Sequence, residues 1–426
     1  MILIYRVLTT LIYPILIILI YYRKFIRKED AKRFKEKIFV SNFRPINKNK
    51  SKLVWFHAAS IGELKSIIPI ISQINKNRKF KFLVTTTTLS SGNLAKIELK
   101  KFQNVEHRYF PLDVDFLIDK FLYLWKPDKI FLVDSEIWPN LIFKTKKYKI
   151  PIALINARLT SKSFSKWMFF PSTAKKIFST FNVFICSNTE TKNYLKKLNL
   201  KNVYFKGNIK FADQINIGGK KSINKNFLDK KKFWFAASTH KDENIFCLET
   251  HLNLKEKYKN ILTIIAPRHL ERSKEIENLS KKLGLNVQIL SKNEKILKDK
   301  EIVIINYFGA LNNYYKSAKS VFIGKSMIKS LKNEGGQNPI EAAKLGCKIY
   351  HGPFVYNFKD IYNILKKNNI SKEIKNSNDL SKNLVQDLKS LKKLNKKTSK
   401  SFYNLGQKTL NDTMILVKKF LGNKYE

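Results

Sequence analysis

From Leu53 onward the chain alternates short apolar runs with stretches of helical periodicity, and this alternation limits it to parallel sheets covered by helices. The first run, Leu53–Phe56, passes through small residues and Gly62 into the helical spacing Leu64, Ile67, Ile68, Ile71. Further runs follow at Phe82–Val84, Val105–Phe110, Ile130–Val133, Ile152–Ile155, Val183–Ile185 and Val203–Phe205. The rhythm breaks over residues 214–232, where Gly218-Gly219 and a Lys/Asn-rich run read as a linker. It resumes at Phe233–Ala236 and continues through Ile261–Ile265, Val287–Leu290, Ile302–Ile305, Val321–Ile323 and Lys348–Tyr350. One hydrophobic core rarely covers 426 residues. The expectation is therefore two Rossmann-like lobes with a central cleft, over residues 53–213 and 233–400, followed by a C-terminal helix at 401–426.

The N-terminus carries a different pattern. Ile2 to Tyr22 is apolar apart from Arg6 and a few Thr and Tyr, which is just enough to span a bilayer as a helix. Residues 23–52 open with Arg23, Lys24, Arg27, Lys28, Lys32, Arg33, Lys35 and Lys37, so the positive-inside bias places the bulk of the chain in the cytoplasm. A membrane anchor at 1–22 is expected, with a helix lying in the membrane surface as the other reading.

The formal net charge of +49 invites a nucleic-acid partner. However, the positive charge is nearly all Lys, with Arg at only ten positions, and it is dispersed over almost every expected helix. Nucleic-acid readers concentrate Arg and interleave aromatics on one face. No nucleic-acid partner is expected; an anionic membrane surface is. Cys186, Cys247 and Cys347 are widely separated and form neither a zinc pattern nor a disulfide framework.

The motifs collect at the ends of the apolar runs. Glu63 falls at a helix N-terminus after the first run, where the helix dipole keeps a carboxylate ionised. Ser60 and Glu63 also fit a capping box that satisfies backbone N–H groups. Asp113-Val114-Asp115 reads as a cap on the helix that follows it, with no metal assigned. In Gly335-Gly336-Gln337-Asn338-Pro339-Ile340-Glu341, Asn338 suits an N-cap, Pro339 the first helical position, and the helix start a phosphate. Pro267-Arg268-His269 ends an apolar strand, where Arg268 suits a phosphate. No H-x-x-x-H pair, G-x-S-x-G elbow or Walker loop appears.

Laid out in order, these blocks resemble the bacterial Kdo transferases (glycosyltransferase family 30), which add 3-deoxy-D-manno-octulosonic acid (Kdo) from CMP-Kdo to a lipid A precursor. The matching blocks are H-A-A-S-I-G-E at His57–Glu63, T-T-T-T at Thr85–Thr88, D-S-E-I-W-P-N at Asp134–Asn140, N-A-R-L at Asn156–Leu159 and G-N-I-K-F at Gly207–Phe211. They continue with S-T-H at Ser238–His240, A-P-R-H at Ala266–His269, G-G-Q-N-P-I-E-A-A at Gly335–Ala343 and G-P-x-x-x-N-F at Gly352–Phe358.

The resemblance implies an α/β GT-B fold acting at the cytoplasmic face of the bacterial inner membrane, with the N-terminal lobe for the lipid acceptor and the C-terminal lobe for CMP-Kdo. It implies Glu63 as general base, with Asp134 and Lys210 stabilising the transition state. It places CMP on Pro267, Arg268, Phe308, Gly309, Ala310, Asn338, Pro339, Ile340 and Glu341, with no cofactor and no metal. On the N-P-I-E loop and A-P-R-H alone, a GT-B transferase of another nucleotide sugar stays open. A non-catalytic basic binding protein is the remaining alternative. Three positions depart from the family pattern: Ala310 where an acidic residue is usual, Lys325 where a glycine is usual, and an additional Ala212 before Asp213.

Overall fold

The computed structural model describes residues 2–46, 51–77, 79–212, 223–332, 335–390 and 396–422. Asp213 and residues 214–222 of the expected linker lie outside the described residues. Contacts divide the chain into two units, Met1–Gln214 with Leu405–Glu426, and Ile215–Asn404.

The first unit holds seven parallel strands: β1 (Lys52–His57), β2 (Phe80–Thr86), β3 (Val105–Tyr109), β4 (Lys129–Val133), β5 (Ile152–Ala157), β6 (Val183–Cys186) and β7 (Val203–Phe205). Their order is β3-β2-β1-β4-β5-β6-β7. β1 lies between β2 and β4, so the winding reverses there, and the carboxyl ends of β1 and β4 flank the crevice that such a reversal opens. The central strands are buried on both faces, as a parallel sheet between helices requires.

One face of the sheet packs Trp55, Phe110 and Phe121; the other packs Phe56, Leu64 and Ile67. Leu410, Met414, Val417 and Phe420, from the helix Lys396–Leu421, complete the second of these cores. That helix approaches the backbone closely: a Cβ on Gly406 would stand 2.4 Å from the Phe211 carbonyl oxygen, which only glycine avoids.

The second unit repeats the architecture with β8 (Phe233–Thr239), β9 (Leu262–Pro267), β10 (Val287–Leu290), β11 (Ile302–Ile305), β12 (Ser320–Ile323), β13 (Lys348–His351) and β14 (Ser371–Glu373). The order is β10-β11-β9-β8-β12-β13-β14, which places the reversal between β8 and β12. The short strand β14 adds an edge that hydrophobic runs do not announce, because Ser371-Lys372-Glu373 is polar throughout.

At the N-terminus the single expected helix is two, Ile2–Leu11 and Tyr13–Phe25, bent by 55°. Among the described residues no single helix is long and apolar enough to cross a membrane. Pro14 lies in the first turn of the second helix, where its missing N–H is harmless but the preceding helix cannot run through. The first helix is also held by polar contacts. Tyr5 donates to Asp113 Oδ2 at 3.0 Å, Arg6 lies 3.2 Å from Asp115, and the Asn140 side-chain amide donates to Thr9 Oγ1 at 3.2 Å. These side chains fall on one helical face and dock it on the first unit, while Leu3, Ile4, Leu11, Ile15, Ile18 and Phe25 stay exposed.

Two further expectations change here. Asp113 does not cap the helix that follows it, Asp115–Trp125, whose N-cap is Val114 with no side-chain bond. Its carboxylate instead accepts the Asn140 and Leu141 N–H groups, at 3.0 and 2.9 Å, at the start of the helix Pro139–Lys147. Burial pushes its pKa up to about 6 against the pull of those bonds. The basic run after Tyr22 is only partly free. Arg23 and Lys37 pair with Glu29, and Arg33 with Glu36, while Lys24, Arg27, Lys28, Lys32 and Lys35 remain exposed.

Candidate active site

In the first unit three of the expected residues converge. Ser60 is the N-cap of the helix Ile61–Ile74 and accepts the Glu63 N–H through Oγ. The Glu63 carboxylate in turn accepts the Ser60 hydroxyl at 2.7 Å and the Ala59 N–H at 2.8 Å. The expected capping box forms only in half: Ser60 caps the helix, but the Glu63 carboxylate takes the Ala59 N–H and the Ser60 hydroxyl in place of the Ser60 N–H, and these two bonds fix it. Glu63 is 9% exposed, and burial raises its pKa above the ordinary carboxylate value. The Ser60 hydroxyl opposes that rise, the Asp134 and Glu136 charges add to it, and Lys210 opposes it.

Asp134 directly follows β4 with φ 63°, a left-handed conformation, and its side chain meets the 3-10 turn Ile209–Phe211. Lys210 Nζ donates to Asp134 Oδ2 at 2.6 Å. Lys210 also passes the start of the Glu63 helix, where a Cβ on Gly62 would lie 3.8 Å from its Cε. A buried carboxylate, an ammonium and a second carboxylate thus share the carboxyl ends of β1 and β4.

Sequence reasoning assigned no role to Glu136 or His57. The His57 ring is fully buried, with Nδ1 2.9 Å from Thr85 Oγ1, Nε2 3.3 Å from Glu136 Oε2, and the Phe110 ring stacked at 4.1 Å. Trp138 Nε1 also donates to Glu136 Oε2, at 2.8 Å. The motifs H-A-A-S-I-G-E and D-S-E-I-W-P-N are joined through this contact, which no spacing within either motif indicates.

In the second unit a cavity of about 300 Å³ opens at the carboxyl ends of β8, β9 and β11, lined by Ser238, Pro267, Arg268, Phe308, Gly309, Ala310 and Glu341 among others. Six of the nine residues expected at CMP meet here. Asn338, Pro339 and Ile340 do not line it; Asn338 Oδ1 accepts the Ile340 N–H at 3.0 Å. The helix there is only Ile340–Lys344, with Pro339 rather than Asn338 at the N-cap.

The residue that organises this end of the sheet is Glu243, which sequence reasoning missed. Its fully buried carboxylate accepts the N–H groups of His240 at 2.9 Å, Lys325 at 2.7 Å, Ser326 at 2.8 Å and Met327 at 3.0 Å. It binds the loop after β8 to the loop after β12. A Cβ on Gly324 would stand 2.5 Å from the Ser238 carbonyl and 2.8 Å from Glu243 Oε2, so the join closes only around glycine. Burial first, and then the charges of Lys325, His269, Arg268 and Arg272, together lower the His240 pKa to about 4, so the imidazole is neutral near pH 7 in a positive field suited to an anion. Among the described residues, no three His, Cys, Asp or Glu side chains are grouped to hold a metal ion.

Two doubly wound sheets, the first with a buried acid at its switch point and the second with an Arg-bearing cavity at the carboxyl ends of its strands, make up the GT-B fold. The fold is similar to that of UDP-GlcNAc 2-epimerase from Neisseria meningitidis bound to UDP-GlcNAc, at 14% identity and TM-score 0.56, over 86% of this chain and 100% of that one. The family described as "3-Deoxy-D-manno-octulosonic-acid transferase (kdotransferase)" matches residues 32–213. A "Probable 3-deoxy-D-manno-octulosonic acid transferase, mitochondrial" of Arabidopsis thaliana is 32% identical over 86% of this chain and 82% of its own length. The 3-deoxy-D-manno-octulosonic acid transferase of Rickettsia prowazekii is 29% identical over 99% of this chain and 100% of its own. The chain belongs to the 3-deoxy-D-manno-octulosonic acid transferases.

Proposed function

We propose that the chain transfers Kdo from CMP-Kdo to the glucosamine 6-hydroxyl of a lipid A precursor, lipid IVA, in lipopolysaccharide biosynthesis, by a metal-independent inverting displacement. The observation that carries this reading is the buried Glu63 carboxylate, fixed by Ser60 and Ala59 beside the Lys210–Asp134 pair. Glu63 takes the hydroxyl proton as the acceptor oxygen bonds to the anomeric carbon, and the bond from that carbon to the phosphate oxygen breaks with its electron pair leaving on CMP. Burial favours this chemistry by bringing the pKa of the base nearer to the working pH. Asp134 and Lys210 face the charge that develops in the transition state. Arg268 receives the phosphate of the leaving group, so the charge is met by side chains and no cofactor is called for.

The test is mass spectrometry of a tetraacylated lipid A precursor after incubation with the protein and freshly generated CMP-Kdo. A gain of one or more Kdo units supports the reading. No gain with CMP binding intact points to another acceptor or sugar, and no gain without CMP binding removes the reading.

The same proposal places the protein on the cytoplasmic face of the inner membrane, lying on it rather than through it. The polar face of the first helix is occupied by Asp113, Asp115 and Asn140, while its apolar side and that of Tyr13–Phe25 are exposed beside Lys24, Arg27 and Lys28. Sedimentation with phosphatidylglycerol vesicles is expected to show binding that weakens with salt, at about 1 kcal/mol per basic residue near the surface. Replacing Leu3, Ile15 and Ile18 by Ser is expected to weaken it further. Binding indifferent to both changes would overturn this placement.

A further inference from the structure

We propose that Asn156 is a positioning residue for the transfer, a bulge residue whose side-chain amide sets Lys210 against Asp134 beside Glu63. The register between β5 and β6 steps from Ile155 opposite Ile185 to Ala157 opposite Cys186, which leaves Asn156 as the additional residue of a bulge. Bulges turn a side chain out of the strand's alternation, commonly next to an active site. Asn156 takes φ 53°, and Asp134, at the end of the neighbouring strand, takes φ 63°. The two are interlocked through the backbone: the Asp134 N–H donates to the Ile155 carbonyl at 2.9 Å, and the Arg158 N–H donates to the Asp134 carbonyl at 3.1 Å.

The amide so placed reaches the turn that carries the lysine. Asn156 Oδ1 accepts the Ile209 N–H at 3.0 Å, and Asn208 Oδ1 accepts the next one, of Lys210, also at 3.0 Å. With Ile209–Phe211 held, Lys210 Nζ meets Asp134 Oδ2 at 2.6 Å. Backbone conformation alone does not account for an asparagine here. The residue is 2% exposed in a left-handed conformation, and its Nδ2 is buried with no hydrogen-bond partner among the described residues. Glycine would take the same φ without the orphaned donor. What glycine lacks is the oxygen on Ile209.

This inference rests on Glu63 as the base, because Lys210 is felt there. Facing that carboxylate are Asp134 and Glu136 from the loop after β4, Lys210 from the 3-10 turn, the Ser60 hydroxyl and the Ala59 N–H. When Lys210 is no longer held, the two acids act on Glu63 with less opposition.

Asn156→Gly is therefore expected to lower kcat by about 10²-fold, the scale of a misplaced catalytic group. The KM for CMP-Kdo should stay unchanged, and the acid limb of the kcat–pH profile should move to higher pH. Asn156→Asp, which keeps the acceptor oxygen and tolerates the conformation, should retain most of the turnover and supplies the measurement if the glycine variant does not fold. A folded Asn156→Gly enzyme with wild-type kcat and acid limb, beside an inactive Glu63→Gln, would overturn this inference alone. Full turnover in Glu63→Gln would instead remove the base reading. Equal loss of kcat in both Asn156 variants, tracking a fall in melting temperature, would show a merely structural role and also overturn the proposal.

Discussion

Glu63→Gln is expected to lower kcat by about 10²–10⁴-fold, the usual contribution of a general base, with little change in CMP binding. The glutamine keeps the shape of the side chain and an oxygen for the Ser60 hydroxyl or the Ala59 N–H, so the helix start is preserved. The pH dependence of the wild type follows from the same residue. Burial raises its folded pKa, and the base must be ionised, so kcat falls as pH drops through a value above the ordinary carboxylate range. Stability runs the other way. A carboxyl whose pKa is raised by folding contributes its stability fully below the unfolded value and loses that contribution as pH rises through the folded value. At neutral pH the charged Glu63 is thus held at a cost to the fold. Lost turnover in Glu63→Gln should come without a lower melting temperature at that pH, and a steady-state assay paired with a thermal melt checks both. Turnover near wild type would remove Glu63 from the chemistry.

Glu243→Ala is expected to be among the most destabilising single changes in the second unit, by more than about 4 kcal/mol. Four backbone N–H groups converge on this carboxylate, from His240, Lys325, Ser326 and Met327. Each buried donor left without an acceptor costs about 1–3 kcal/mol, reduced where the loops open to water. Opening them also disperses Ser238, which lines the donor cavity, so CMP binding should fall together with stability. Glu243→Gln retains one acceptor oxygen and should fall between the two. Denaturant unfolding with calorimetric titration of CMP makes the comparison. A Glu243→Ala protein with the wild-type midpoint would show that this carboxylate does not hold the two loops together.

The sheets were legible because parallel strands buried on both faces read as continuous apolar runs. Leu53–Phe56 and Ile302–Ile305 are visible for that reason, and the polar edge strand Ser371–Glu373 is not. Glu63, Asp134 and Lys210 could be placed by matching motif blocks, but their meeting depends on two left-handed residues, Asp134 and Asn156, whose φ values spacing does not encode. Glu136 and Glu243 escaped because each acts across the chain. Glu136 reaches His57, and Glu243 reaches a loop more than eighty residues later. The bend and docking of the N-terminus were not legible in composition: Tyr5, Arg6 and Thr9 look like minor interruptions of an apolar span, yet they share one face and bind the domain through it.

The helix that ends the described chain sets an order on biosynthesis. Leu410, Met414, Val417 and Phe420 fill the same core as Phe56 and Ile67 from the first third of the sequence. Each of these apolar side chains is worth about 1.5–3 kcal/mol when fully buried. Until those residues have left the ribosome, one face of the first sheet lacks part of its cover, although all seven of its strands have long been made. The second unit, whose residues 215–404 are continuous, can reach its native core earlier. A nascent chain halted before residue 405 is therefore expected to leave exposed the part of this core that Leu410, Met414, Val417 and Phe420 cover, an apolar patch of the kind chaperones recognise.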